Sequence, residues 1–288
     1  MSKSQAGAKS GGKVKLNKGK LNKKKRRYEQ FKFDMLQMYM NYPYVLECGE
    51  GYGRIEISSP YIGTLIELGQ DRFFAATHPF VTNTTQYRLP LWEAGKDWNE
   101  MSDFELFITF ICARNMDNEA LSLIFGDNID WNSFYPYSTQ EDGAEKYYLI
   151  SEESNIKIDE DIYQHITQYM HYLLNVFPDE DVTSQPAMKR KYIERDRKRK
   201  LNAEIREKQG EEKNGASLQP LISACVNHPG FKYKISELKE LTVVQFYDSV
   251  HRLQIYESTT ALLKGMYSGF CDTSKIPEDS FNWMRAIN

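Results

Sequence analysis

The sequence lacks the short signatures that would name a chemistry. It has neither a Gly-x-x-x-x-Gly-Lys-Ser/Thr loop nor a Gly-x-Gly-x-x-Gly fingerprint entering a helix, so GEGYGRIE reads as a hairpin turn that needs positive φ, not as a phosphate cradle. No serine sits in a Gly-x-Ser-x-Gly elbow, and no cysteine stands in a recognisable nucleophile context. The four cysteines, Cys48, Cys112, Cys225 and Cys271, are far apart and form no Cys-x-x-Cys. That excludes a zinc knuckle and a dense disulfide framework, and suits a reducing cytoplasm. The five histidines, His78, His165, His171, His228 and His251, never fall at the i, i+4 spacing of a helical metal pair, so they read as surface or core-edge residues. No apolar run approaches the roughly 18 residues needed to cross a bilayer. Together these absences predict a non-enzymatic protein with no cofactor, no metal and no membrane insertion. Catalytic carboxylates paired only in space would leave no mark in a single sequence.

Negative charge is missing from the start of the chain. The first 27 residues hold 11 of the 37 Lys and Arg and no Asp or Glu, which leaves 26 basic against 40 acidic side chains for the rest. This arm has no aromatic residue and only Val14, Leu16 and Leu21 as larger apolar side chains, too few to offset the entropy of ordering, so a disordered basic arm is expected. No apolar h-region follows it, which argues against a signal peptide. Acid is concentrated further on: from Glu93 to Glu160 there are 16 Asp or Glu and 4 Lys or Arg. The acids there lack the order of a calcium loop, and caps and turns explain most of them.

With 41% hydrophobic and 13% aromatic residues, the remainder can bury a core. Tyr44–Cys48 and Arg54–Ile57 read as strands of a hairpin. Ser59-Pro60 ahead of YIGTLIELG marks a short helix ending at Gly69, and DRFFAATHPFV adds a turn or two of helix. Ser102 and Glu105 form a capping box ahead of Phe104, Phe107, Ile108 and Ile111 at helical spacing. DNEALSLIFG, from Asp117 to Gly126, reads as the antiparallel neighbour of that helix. Two aromatic-rich runs around EDG predict a second hairpin. DEDIYQHITQYMHYLLNVF follows with Ile162, Ile166, Tyr169, Met170, Leu173 and Phe177 on one face. Residues 186–208 form a charged helix with 10 basic and 4 acidic residues, its apolar anchors being Met188, Tyr192, Leu201 and Ile205. Thr242 and Gln245 then make a capping box before a long helix with Val243, Phe246, Val250, Leu253, Leu262 and Met266 as its buried stripe and Gly269 at its end. The fold class is α+β, a mainly helical globule with small antiparallel β-hairpins. Its divisions are an arm over 1–27, an α+β region over 28–185, a charged helix and linker over 186–215 and a helical region over 216–288, with 28–288 also readable as one domain.

Binding is where the charge points. Lys23, Lys24, Lys25, Arg26 and Arg27 of the arm, and Lys189, Arg190, Lys191, Arg195, Arg197, Lys198, Arg199 and Lys200 of the charged helix, are the candidate contacts for an acidic partner or for nucleic acid. Glu194, Asp196, Glu204 and Glu207 interleave with the second group, so a solvated face or docking on an acidic surface, a partner's or the chain's own, is the competing reading. Aromatic residues beside these cations amount to Tyr28 and Tyr192, which weakens single-strand recognition.

Three segments, DWNEMSDFELF with LIFGDNIDWNSFYPY, YLISEESNIKIDEDIYQHITQYM, and FKYKISELKELTVVQFYDSVHRLQIYESTTALLKGMYSGFCDTSKIPEDSFNW, resemble a family of tailed-bacteriophage proteins encoded among structural genes. The resemblance spans roughly residues 45–285 and omits the arm. It implies a tail-assembly chaperone or structural accessory protein, with tail tube or tape-measure polypeptides as partners, in the bacterial host cytoplasm or in the virion. It carries no catalytic motif, so no functional residue transfers. Matching positions such as Trp98, Asp103, Phe104, Phe246, Asp248 and Tyr267 have the look of fold determinants.

Overall fold

The structure is a computed structural model that describes residues 30–113, 115–141, 144–181, 183, 185–209, 217–269, 274 and 276–287. The basic arm and Cys271 lie outside the described residues. The chain runs α1 (Met35–Tyr39), β1 (Tyr44–Glu47), β2 (Arg54–Ile57), α2 (Ile62–Leu68), α3 (Gln70–Val81), α4 (Arg88–Glu93), α5 (Asp103–Ala113), α6 (Asn118–Phe125), β3 (Tyr135–Glu141), β4 (Ala144–Ser151), β5 (Ile156–Ile158), α7 (Glu160–Leu174), α8 (Pro186–Lys208), α9 (Leu218–Val226) and α10 (Val243–Tyr267), with 3-10 turns at Leu238–Glu240 and Glu278–Phe281. The expected α+β class holds: helices dominate, and two antiparallel sheets are ordered β1-β2 and β3-β4-β5.

Local chemistry accounts for most boundaries. Tyr44 pairs with Ile57 and Glu47 with Arg54, and the connecting turn places Gly49 at φ 95° and Gly51 at φ 80°, values that glycine adopts without a Cβ penalty. The Ser102 box is reciprocal, with Glu105 N–H donating to Ser102 Oγ at 3.1 Å and Ser102 N–H to Glu105 Oε2 at 2.6 Å. Asp117 caps α6 by accepting from Ala120 N–H, Asp159 caps α7 by accepting from Ile162 N–H, and Thr242 and Gln245 complete the box at the start of α10.

Four expectations need correction. Ser59 does not cap the helix beside it: α2 begins at Ile62, and Ser59 Oγ accepts from Val244 N–H at 3.3 Å instead. The reason is a strand-like crossing, in which Ile62 N–H donates to the Leu241 carbonyl and Val243 N–H to the Pro60 carbonyl, at 2.8 and 2.9 Å. Second, α3 is a full 12-residue helix, not a turn or two. Pro79 falls in its last turn, where its missing N–H costs one bond, and Phe73, Ala76, Thr77 and Phe80 are buried along the preceding turns. Third, α6 packs chiefly on α3, and α5 lies on α3 and α7, so α5 and α6 are joined through α3. Fourth, α7 stops at Asn175 in the left-handed region, leaving Phe177 past its end and 59% exposed. The third strand of the second sheet, β5, was too short for its pattern to announce it.

One cluster of apolar side chains runs from Met38 through Phe73, Phe107, Trp131 and Ile166 to Phe246 and Val250, so the start of α10 is built into the main core. A satellite of Leu89, Leu91, Trp98 and Ile193 joins α4 to α8. Beyond Val250 the predicted stripe of α10 fades: Leu253, Leu262 and Met266 are only half-buried, and Tyr267 is 81% exposed. Trp98, Phe104 and Phe246, by contrast, are buried as fold determinants should be.

The helix α2 lies close on the Leu238–Glu240 turn. A Cβ added at Gly63 would sit 2.9 Å from the Lys239 carbonyl oxygen and 3.0 Å from Lys239 Cβ. Backbone cannot swing aside as a side chain can, so Gly63→Ala is expected to destabilise by roughly 1–3 kcal/mol, read as a shift in urea midpoint at unchanged slope.

Candidate functional site

The charged helix is held at one end and open at the other. Pro186 occupies its first turn, where the missing N–H is no loss, and Ile193 is the side chain it buries, in the pocket of Leu89, Leu91 and Trp98. Around that contact the chain's own acids meet its own bases. Lys189 Nζ reaches the Asp97 carboxylate, and Arg195 Nη2 lies 3.3 Å from Asp181. Arg88, whose side chain is 5% exposed, donates to both Asp196 oxygens and to Asp181 Oδ2 at 3.0 Å. The guanidinium groups of Arg88 and Arg195 each stand 5.1 Å from the Tyr192 ring centre. Burial works against ionisation of Asp97, but the hydrogen bonds from Lys189 and Asn99 outweigh it and hold the carboxyl below its usual range.

From Arg197 to Gln209 every residue is exposed. Leu201 and Ile205, expected as anchors, are 57% and 43% exposed, one turn apart. The candidate cations therefore divide. Lys189 and Arg195 are engaged with Asp97 and Asp181, and Arg197 stands 3.7 Å from Glu93. Arg190, Lys191, Lys198, Arg199 and Lys200 are exposed and form no ion pair among the described residues. Lys23, Lys24, Lys25, Arg26 and Arg27 lie outside the described residues. Ile193 was missed as an anchor because a lone apolar residue in a charged helix has no periodic company.

A second feature had no trace in the sequence. Between α7 and α10 a cleft of about 840 Å³ opens, lined also by Thr82, Asn83 and residues 177–180. Its α7 wall carries His171 and Tyr172, and its α10 wall Tyr247, Asp248 and His251. Burial pushes the His171 imidazole down to about 4, against a smaller opposing pull from a hydrogen bond with the Val81 backbone and from Asp103. Its Nε2 is buried and has no hydrogen-bond partner among the described residues. Burial also raises the Asp248 carboxyl, offset in part by Arg252 and His251, and raises the Tyr247 phenol. No group of three metal-ligating side chains is assembled among the described residues, and none of the helices there is long and apolar enough to cross a membrane.

The sign of the His171 effect is testable. A histidine whose folded pKa lies below its unfolded value binds fewer protons when folded between the two, so its contribution is intact at neutral pH and is lost as pH falls from about 6.5 toward 4. At pH 4.5 the wild type should have lost about 2.5 kcal/mol through this group. His171→Gln, melted at both pH values, should lack that component of the slope.

Comparison with known proteins adds one match. No curated protein and no solved structure matches the chain. Residues 207–288, from the end of α8 through α10 to the C-terminal 3-10 turn, match the family model described as YomV second domain, so this part of the chain is similar to a phage-derived family of domains.

Proposed function

We propose that this is a non-catalytic bacteriophage assembly factor that works by protein–protein contact, as a tail-assembly chaperone or a structural accessory protein, in the host cytoplasm or in the virion. The carrying observation is the half-anchored helix α8. Its first half is fixed by Ile193 and the Arg88–Asp181–Asp196 cluster, while its second half presents Leu201 and Ile205 among cations on a standing helix. An exposed polar helix that carries two apolar side chains at i, i+4 can set them into a partner's groove. The phage-derived match to residues 207–288 agrees with this setting. Pull-down from infected cells, followed by mass spectrometry, should recover tail tube or tape-measure polypeptides with the wild type and lose them with Leu201→Asp/Ile205→Asp. Recovery of no virion component or precursor would remove the reading.

Arg190, Lys191, Lys198, Arg199 and Lys200, exposed on α8 and without an ion pair among the described residues, favour a second reading, contact with nucleic acid. Such binding would weaken steeply with salt, by one released counterion for about each phosphate neutralised. A gel shift across a salt series decides it: the wild type should retard DNA or RNA at low salt, and Arg190→Ser/Lys191→Ser/Lys198→Ser should reduce the salt slope. No retardation at the lowest salt would end it.

A further inference from the structure

The cleft between α7 and α10 has the chemistry of a cation site. Four carboxylates, Asp103, Asp179, Glu180 and Asp248, line it together with the rings of Tyr172 and Tyr247, and no lysine or arginine does. Asp248 is the group of interest. It is half-buried on α10 and, among the described residues, accepts no hydrogen bond and joins no ion pair, with Arg252 and His251 near enough to offset part of the burial that raises its pKa. Arg252, one turn further along, directs its Nη1 to the carbonyls of Trp283 and Arg285, each at 2.9 Å. His171, on the α7 wall, leaves its buried Nε2 without a partner and stays uncharged at neutral pH, so it does not compete for the carboxylates.

We infer that this cleft binds an extended peptide segment bearing lysine or arginine, presented by the assembly partner, with the cationic head on Asp248 and the aliphatic stem against Tyr172 and Tyr247. The source of the segment rests on the assembly reading above; the chemistry rests on the cleft. A volume of about 840 Å³ is in the range that buries a ligand of several side chains. A lysine or arginine stem packs on aromatic faces while its head meets a carboxylate, and a partly desolvated ammonium over a tyrosine gains cation–π attraction as well. The acidic lining repels phosphate, which separates this site from any nucleic-acid contact on α8.

The test is calorimetric titration of the full chain with a short acetylated peptide alternating lysine and glycine, and with its glutamate counterpart. The lysine peptide should bind at low salt and the glutamate peptide should not. Asp248→Asn, isosteric and half-exposed, should weaken binding by about tenfold or more without moving the melting temperature. Glu67→Gln removes the same charge outside the cleft and should leave affinity unchanged. No binding, or equal losses in the two variants, overturns the site. A chain with Lys23, Lys24, Lys25, Arg26 and Arg27 all replaced by serine should bind the peptide as the wild type does. Binding tighter by about tenfold would overturn the partner as occupant, in favour of the chain's own arm. If Asp248→Asn leaves peptide binding intact while tail components still co-purify, the cleft fails and the assembly reading stands. Selective peptide binding without any virion component recovered does the reverse.

Discussion

Replacing Arg88 with methionine is expected to lower unfolding free energy by roughly 3–5 kcal/mol, because it leaves two carboxylates facing each other with only the more exposed Arg195 beside them. The side chains of Arg88, Asp181 and Asp196 are 5%, 13% and 17% exposed, so water does little to screen the repulsion. The hydrogen bond to Asp196 is the chief reason that the guanidinium pKa is raised, ahead of the opposing cost of burial and the help of Asp181. Arg88→Lys should recover only part of the loss, since an ammonium cannot bridge both Asp196 oxygens and Asp181 at once. Urea unfolding gives the magnitude. Hydrogen exchange gives the location: protection should fall first around Ile193, where α8 meets α4. A midpoint within experimental error of the wild type would show that the three residues do not hold the helix down.

Phe80→Ala should cost a similar amount, roughly 3–5 kcal/mol, for an unrelated reason. Phe80 is fully buried in the last turn of α3, with ring centres of Phe107, Phe125 and Trp131 at 5.3, 5.0 and 4.8 Å. Removing the ring empties a site walled by other rings, which cannot collapse inward without leaving their own edge-to-face contacts. Trp131→Phe is the informative contrast. The Trp131 Nε1 is buried without a hydrogen-bond partner among the described residues, so the shorter ring loses area but also removes an unsatisfied donor. That change should cost less than about 1.5 kcal/mol. Thermal melting of the two variants side by side orders them; a Trp131→Phe loss equal to that of Phe80→Ala would mean that the indole N–H has a partner after all.

What the sequence made legible was whatever a helix or hairpin decides within four or five residues. The capping boxes at Ser102 and Thr242, the caps at Asp117 and Asp159 and the glycine turn after β1 depend on neighbours in the chain, and each is where the pattern put it. Ser59 failed that logic because its partner, Val244, is 185 residues away. DRFFAATHPFV reads locally as a turn or two, but the buried face around Phe73 and Phe80 extends α3 to 12 residues and outweighs the backbone bond that Pro79 forgoes. On α8 the period carries almost no information, since the helix is polar on all sides; the pocket of Leu89, Leu91 and Trp98 chooses Ile193. The cleft was invisible for the same reason as Ser59. It is assembled from residues near 82, 171 and 248, and the separate histidine and aspartate positions carry no mark of shared space.

The crossing of residues 60–62 with 241–243 also bears on how the chain comes off the ribosome. Met38, Ile62 and Leu65 share a core with Val243, Phe246 and Val250, so the first-made segment waits for the last-made one before its apolar faces are covered. Contacts of such sequence separation close slowly and late. A nascent chain paused before Leu241 would hold α2 with no partner for its Ile62 N–H, and during that interval holdase chaperones have the most to grip.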